Sequence, residues 1–315
     1  MVAVITINYN KSNFTKDCVN SILSAVYSNF RIVLVDNGSE VSDYEKLLSL
    51  KDERIIITRL EENIGYVGGV NHGLKEAEKL NPSYFLIMNN DTILDSFAIQ
   101  ELVDTARRYQ DNCIVSGKTY NMDEPDTLQY IGNWCRNFNK LEFPSYIFLS
   151  REKDVGQYDT EMIMEMLDDI FWLVPSEVFK KIGYYSEYFY IYGEQNDYAL
   201  RAKKNDVLLV YTPKAKIWHY CHLTTSEGSN GFQKIYYWQG YGFLLLAYLH
   251  LTKKSFLKLY ISRILKYLFK SGISLLFLNY SKFRQKYQPY LLAHTFFTIW
   301  LFNKKPNNGF NPYIK

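Results

Sequence analysis

Asn89-Asn90-Asp91 closes the apolar run Tyr84-Phe85-Leu86-Ile87-Met88. A carboxylate flanked by two amides at the end of a strand is half of a site for a hard divalent cation. Donors for the other half occur much later, in Gly193-Glu194-Gln195-Asn196-Asp197 and Trp218-His219. Acid, amide and imidazole ligands around such a cation suit neutralisation of a departing diphosphate. That chemistry belongs to transfer from a nucleotide-activated donor.

Two further polar segments point the same way. Asp36-Asn37-Gly38-Ser39 follows an apolar run, and its side chains suit the edge of a pyrimidine and a ribose; an ordinary Asn-Gly turn is the competing reading. Asn63-Ile64-Gly65-Tyr66-Val67-Gly68-Gly69-Val70-Asn71 precedes a helical pattern, where glycines let backbone amides approach a phosphate and the helix dipole favours its charge. Its spacing is neither a dinucleotide fingerprint nor a P-loop. Asp168-Asp169, before an apolar strand, could contact acceptor hydroxyls or form a solvated turn, and the aromatic stretch Tyr184–Tyr192 suits sugar stacking, with core packing as the competing reading for many of its rings.

The elements that must hold these segments alternate. Val2–Asn8, Arg31–Val35, Arg54–Thr58, Tyr84–Met88 and Cys113–Ser116 read as strands. Phe14–Ala25, Val41–Leu50, Val70–Leu80 and Phe97–Tyr109 read as helices between them. The rhythm predicts a mostly parallel sheet covered on both faces, with ligands beyond the carboxyl ends of its strands. Residues 118–165 read as a loop-rich insertion facing the acceptor. Strands are expected again at Ile170–Val174, Val207–Tyr211 and Ala215–Trp218, and helices at Ser176–Ile182 and Asp197–Lys204.

Charge divides the chain of 315 residues. Its net +3 combines 23 Lys and Arg against 33 Asp and Glu up to Glu227, and 13 Lys and Arg with no acid after it. The basic residues of the tail alternate with Leu, Ile and Phe at helical spacing, which favours an anionic membrane face over nucleic acid. Ile235–Thr252 and Tyr287–Asn303 lack charge but are interrupted by Gln, His and Pro, so interfacial helices are expected rather than spanning ones. Between them, Arg263, Lys266 and Lys270 are expected on one helical face, with Ile264, Leu265 and Leu268 on the other. Cys18, Cys113, Cys135 and Cys221 form no C-x-x-C pair, so neither a zinc site nor a disulfide framework is indicated and a reducing cytosol is expected. Met1-Val2-Ala3-Val4-Ile5 reads as a first strand rather than a signal peptide.

These segments, in this order, resemble the family 2 inverting glycosyltransferases of the GT-A fold, particularly the rhamnosyltransferase-like branch. The matching stretches are Ile5–Asn10, Val35–Ser39, Asn63–Gly65 through Gly68–Asn71, Asn89–Asp91, Gly193–Arg201 and Trp218-His219. The resemblance implies an α/β GT-A domain over residues 1–227. Its nucleotide-binding half spans 1–117 and its acceptor-binding half 118–227, followed by an amphipathic, membrane-associating tail over 228–315. It implies a nucleotide pocket of Asn8, Tyr9, Asp36, Asn37, Asn63, Gly65, Gly69, Asn71 and Asn90. Asp91 and His219 would hold Mg²⁺ or Mn²⁺, and Asp168, Asp169, Trp172 and Tyr192 would meet the acceptor. A carboxylate of the Glu194–Asp197 segment would deprotonate the acceptor hydroxyl.

One position departs from the family pattern. Gln195 stands where the catalytic acid is expected, and an amide does not usefully accept that proton. Glu194 is the favoured replacement; Asp197 or the Asp168-Asp169 pair would supply a base from another direction. The expected donor is a dTDP- or UDP-linked sugar, with dTDP-L-rhamnose foremost. The expected acceptor is a lipid-linked glycan of a bacterial surface polysaccharide, at the cytoplasmic face of the plasma membrane. The competing class is a glycan- or nucleotide-binding subunit that has lost its base. A nucleotidyltransferase lacks support, because no Gly-rich basic loop follows the first strand.

Overall fold

The computed structural model describes residues 1–132, 152–220 and 231–306. Continuous apolar runs bounded by polar residues build its strands, as expected for strands covered on both faces. Val2–Asn8 (β1) is parallel to both Phe30–Asn37 (β2) and Tyr84–Met88 (β4), and β2 is parallel to Ile55–Leu60 (β3). Thr92–Leu94 (β5), Cys113–Asn121 (β6), Thr127–Tyr130 (β7), Glu152–Lys153 (β8), Met162–Ile163 (β9), Phe171–Pro175 (β10) and Leu208–His219 (β11) complete the sheet. Its main order is β3-β2-β1-β4-β10-β6-β11-β5, with β10 antiparallel to β4 and β11 parallel to β6.

Helices Ser12–Leu23 (α1), Val41–Leu47 (α2), Gly65–Glu78 (α3), Ala98–Arg108 (α4), Ser176–Ile182 (α5) and Glu194–Lys204 (α6) connect these strands. Val19 and Ile22 of α1 and Ile99, Leu102 and Val103 of α4 join Val4, Leu34, Leu86 and Leu173 in one buried core. Because β2, β1 and β4 are parallel neighbours, Asp36, Asn8 and Asn89-Asn90-Asp91 share one sheet edge.

The stretch after Ser116 is more regular than expected. β6 continues to Asn121 with all nine residues buried. Lys118 conceals this in the sequence, since a cation ordinarily ends a buried strand. Here it is 1% exposed and neutralised by Asp154 (2.8 Å) and Asp159 (2.5 Å). The two strands expected at Val207–Tyr211 and Ala215–Trp218 are one, β11, with an irregularity between Thr212 and Lys216. Residues 133–151 of the expected insertion lie outside the described residues.

The described residues form two compact units, one of 1–132, 152–185 and 198–220, the other of 186–197 and 231–306. The segment 186–197 therefore groups with the tail, although an acceptor half was expected to contain it. The second unit carries Gly231–His250 (α7), Lys253–Leu276 (α8), Tyr280–Lys282 (α9), a π-helical stretch Phe283–Tyr287 and Gln288–Asn303 (α10). Tyr190 stacks on Trp238 and Tyr188 meets Trp300 edge-on, so these tyrosines are packing residues rather than sugar platforms. Among the described residues no helix is long and apolar enough to cross a membrane.

Candidate active site

Asn8 is the hub of the strand-end cluster. It is fully buried, and its Nδ2 lies within hydrogen-bond distance of Asp36 Oδ1 (2.9 Å), Ser39 Oγ (3.0 Å) and Asp43 Oδ2 (3.0 Å). Asn90 Nδ2 donates to Thr15 Oγ1 (2.8 Å), which donates to Asn8 Oδ1 (2.8 Å). An amide–hydroxyl–amide–carboxylate chain thus ties the ends of β4, β1 and β2 together. Such buried networks rigidify a site when every member is satisfied. Asn8 was expected to touch the nucleotide; its amide is instead consumed in holding the strand ends in register.

Asp36 is also fully buried, with Arg59 Nε 3.4 Å from Oδ2. Arg59 donates to the Ser39 carbonyl (3.0 Å) and lies over the Tyr44 ring at 4.4 Å. Burial alone would raise the Asp43 carboxyl, but hydrogen bonds from Asn8 and Ser12 outweigh it and hold it below the usual range. Tyr9 is 37% exposed, the open surface of this cluster.

Asn37 shapes the glycine loop. Its Nδ2 donates to Asn63 Oδ1 (3.1 Å) and to the Gly65 carbonyl (3.0 Å), and its Oδ1 accepts from Ile64 N (3.2 Å). Asn63 Oδ1 also accepts from Gly65 N (2.9 Å), so the loop is latched to β2. α3 starts five residues before the expected Val70 because the glycines let it lie close to the sheet. A Cβ at Gly69 would stand 3.1 Å from the Ile7 side chain and 3.3 Å from Asn37 Nδ2.

Asn71 is placed differently from expectation. It is 3% exposed; Nδ2 donates to the Tyr185 carbonyl (2.9 Å) and Oδ1 accepts from Tyr185 N (3.0 Å). Both ends of its amide clamp Tyr185, so it positions that residue rather than a nucleotide. The Tyr185 hydroxyl donates to Asp169 Oδ2 (3.1 Å). Burial, then the charge of Asp168, pushes the Asp169 carboxyl up to about 7. Asp169 follows β10 backwards towards Asn90, since Asn89 N donates to the Ile170 carbonyl (2.9 Å) and Phe171 pairs with Met88. Asp168 turns back to accept from Ile170 N (3.2 Å). Trp172, expected at the acceptor, is fully buried between β4 and β6 and packs on Tyr185 and Tyr198. Its ring fills the core and presents no face to a sugar.

Asp91 and His219 do come together. Their Oδ1 and Nε2 atoms are 3.3 Å apart, both side chains mostly buried. The pairing follows from topology, because β11 runs beside β5, with His219 opposite Thr92. His219 Nδ1 meets Gln129 Oε1 at 2.9 Å, which fixes the ring with Nε2 towards the carboxylate. An outer-shell partner of this kind orients metal-binding imidazoles. Among the described residues no cluster of three His, Cys, Asp or Glu side chains is present. Two protein donors nevertheless fit Mg²⁺ or Mn²⁺, which take few protein ligands and complete their shell with water and substrate phosphates. Cys18 is not a further donor: it is buried beside Asn89 and Thr92, and burial pushes its thiol up to about 12. Cys113 is likewise free and buried, while Cys135 and Cys221 lie outside the described residues.

In the second unit, Glu194 and Asp197 occupy the first turn of α6, 4% and 2% exposed. Gln195 Oε1 accepts from Gly193 N (3.1 Å), so this amide serves the turn. Asp197 Oδ1 lies 2.8 Å from His250 Nε2 at the end of α7, a buried pair that turns Asp197 away from the role of free base. Tyr192, with φ of 67°, presents its carbonyl where a Cβ on Gly242 would stand 1.9 Å away. Thr15, Asp43, Arg59, Gln129 and His250 were absent from the expected site. Only Asp43, an acid in the first turn of α2, carried a local signal.

Comparison with known proteins bears on the family and the fold. The model of the family described as "Glycosyl transferase family 2" matches residues 3–165, which contain the strand-end cluster and Asp91. The glycosyltransferase GlyG of Streptococcus pneumoniae is 23% identical over 68% of this chain and 79% of its own length. Poly-beta-1,6-N-acetyl-D-glucosamine synthase of Staphylococcus aureus is 24% identical over 50% of this chain and 42% of its own. Among solved structures, GalNAc-T7 with UDP, GalNAc and Mn²⁺ superposes with a TM-score of 0.55 at 14% identity, covering 71% of this chain and 44% of that one. S. aureus TarS 1-349 gives 0.51 at 14% identity, covering 77% and 65%. Both share the GT-A-like α/β fold, a mostly parallel sheet flanked by helices. The chain belongs to glycosyl transferase family 2 and is a glycosyltransferase.

Proposed function

We propose that this glycosyltransferase is metal-dependent and inverting, moving a sugar from a nucleoside diphosphate donor to a lipid-linked glycan at the cytoplasmic face of a bacterial plasma membrane. The observation that carries the reading is the Asp91–His219 pair at 3.3 Å, with its imidazole oriented by Gln129. Asp91 and His219 would hold Mg²⁺ or Mn²⁺, which when bound neutralises charge on the diphosphate. The α3 N-terminus, held against β2 by Asn37 and Asn63, would receive the donor's phosphates, and Tyr9 its base. Glu194 would take the acceptor proton as the hydroxyl oxygen attacks the anomeric carbon opposite the diphosphate.

UDP in the GalNAc-T7 complex supports a nucleoside diphosphate sugar as donor. The rhamnosyltransferase-like motifs make dTDP-L-rhamnose the first to test, and UDP-linked sugars the next. The basic, acid-free tail supports a lipid-linked acceptor. Incubation with a donor panel, Mn²⁺ and lipid-linked acceptor from the source membranes, scoring nucleoside diphosphate release, tests the reading. Release with one donor is expected. Nucleotide binding without release from any donor would instead favour a binding subunit, the reading that Gln195 permits.

A further inference from the structure

Six large apolar side chains stand in water along one side of α8. Leu257, Ile261, Leu265, Leu268, Phe269 and Leu276 are each at least 46% exposed, with Phe269 at 70% and Leu276 at 81%. At 100° per residue they span an arc of about 120°. The opposite side is the packed one, carrying buried Tyr267, Ser271 and Ser274. Arg263, expected beside Lys266 and Lys270, belongs to that packed side, with its guanidinium 3.8 Å from the Phe243 ring centre. Lys254 and Lys258 are exposed within the arc near the start of the helix, and Lys266 and Lys270 are exposed on its flank. An exposed apolar patch rimmed by charge marks an interaction surface.

We infer that this face of α8 is a membrane-docking surface that lays its leucine side into the interface of an anionic bilayer, with the four lysines over the headgroups. The inference deepens the membrane-face reading above and rests on it. Charge decides the occupant. Residues 228–315 contain no acid, so a second copy docking through the same face would set lysines against lysines. A polyanionic nucleic acid would satisfy the lysines but leave the leucine arc in water. An anionic lipid surface satisfies both, as expected for a helix lying in the interface plane.

The test is co-sedimentation of the full chain with phosphatidylcholine vesicles, with and without phosphatidylglycerol. It compares wild type with Leu265→Asp/Phe269→Asp and with Lys266→Glu/Lys270→Glu. All four positions are exposed, so folding is retained and is checked by thermal melting. Wild type pellets with the anionic vesicles, and each double variant partitions at least about tenfold less. Turnover of donor onto a water-soluble acceptor is unchanged in both variants. Wild type that stays in the supernatant, or variants that bind like wild type, overturn the inference. So does a wild-type dimer that Leu265→Asp/Phe269→Asp converts to monomer without vesicle binding. Vesicle binding with no donor turnover counts against the transfer reading and leaves the docking surface standing.

Discussion

His250 Nε2 lies 2.8 Å from Asp197 Oδ1, joining the last turn of α7 to the first turn of α6. Both side chains are nearly inaccessible, so the tail braces the acidic segment beside Gln195. The tail thus helps to position the segment proposed to supply the base.

Replacing His250 by Ala leaves the buried Asp197 without this partner, at a cost of about 3 kcal/mol. The expected outcome is a lower unfolding midpoint and a reduced kcat, with nucleoside diphosphate affinity unchanged. His250→Gln, which can still donate, recovers part of both. Denaturant melts and nucleotide titration check this, and unchanged stability in His250→Ala would refute the brace.

Gly242 lets α7 touch the segment before α6 backbone to backbone. Gly242→Ala places a Cβ 1.9 Å from the Tyr192 carbonyl oxygen, and neither partner is a side chain that can swing aside. A loss of about 3 kcal/mol is expected from this overpacking, read by urea denaturation. Gly272→Ala, whose Cβ meets nothing within 4 Å, is the control and does not destabilise α8.

What the sequence reveals follows the range of the forces involved. β1, β4 and α5 have the expected bounds because unbroken apolar runs end at polar residues or proline. β6 is read short because Lys118 is buried by acids more than thirty positions away, which no local pattern displays. The strand-end motifs announce a site, and Asp91 with His219 is legible as a pair. The division of labour within it is not. Asn8, Asn37 and Asn71 have the residue types of ligand contacts, yet their amides hold backbone and strand ends. For Asn71 a signal was available: it shares the buried helical face of Val67, Val70 and Leu74. His250 and Gln129 carry no local signal, since their partners lie 53 and 90 positions away.

Asp169 gives the fold a pH dependence of known sign. Its carboxyl rises from 3.8 to about 7, chiefly by burial and then by Asp168. Below 3.8 both folded and unfolded chains are protonated there, and the group is neutral to stability. Between 3.8 and about 7 the unfolded chain ionises while the folded one keeps its proton, so stability falls as pH rises. Above about 7 the penalty is complete. Asp169→Asn removes it, so the variant's melting temperature gains on wild type across that window and holds level beyond it. Parallel profiles for the two proteins would contradict this.

Asp91→Asn weakens one of two protein donors to the proposed cation. Wild type is expected to bind its nucleoside diphosphate at least about tenfold more tightly with Mn²⁺ than with chelator, from the charge neutralised at the phosphates. The variant loses that difference while its chelator-state affinity is retained. Calorimetric titration reads both. A metal effect that survives in the variant would remove Asp91 from the site.

The most direct measurement of the account is nucleoside diphosphate release from the active donor by Glu194→Gln beside wild type, at matched nucleotide affinity. Glu194 is 4% exposed in the first turn of α6, next to Gln195. The account predicts steady release by wild type and loss of at least about a hundredfold in the variant, the contribution of a positioned general base. Near-normal turnover in Glu194→Gln would contradict the assignment of the base, and absence of release by wild type with every donor would contradict transfer itself.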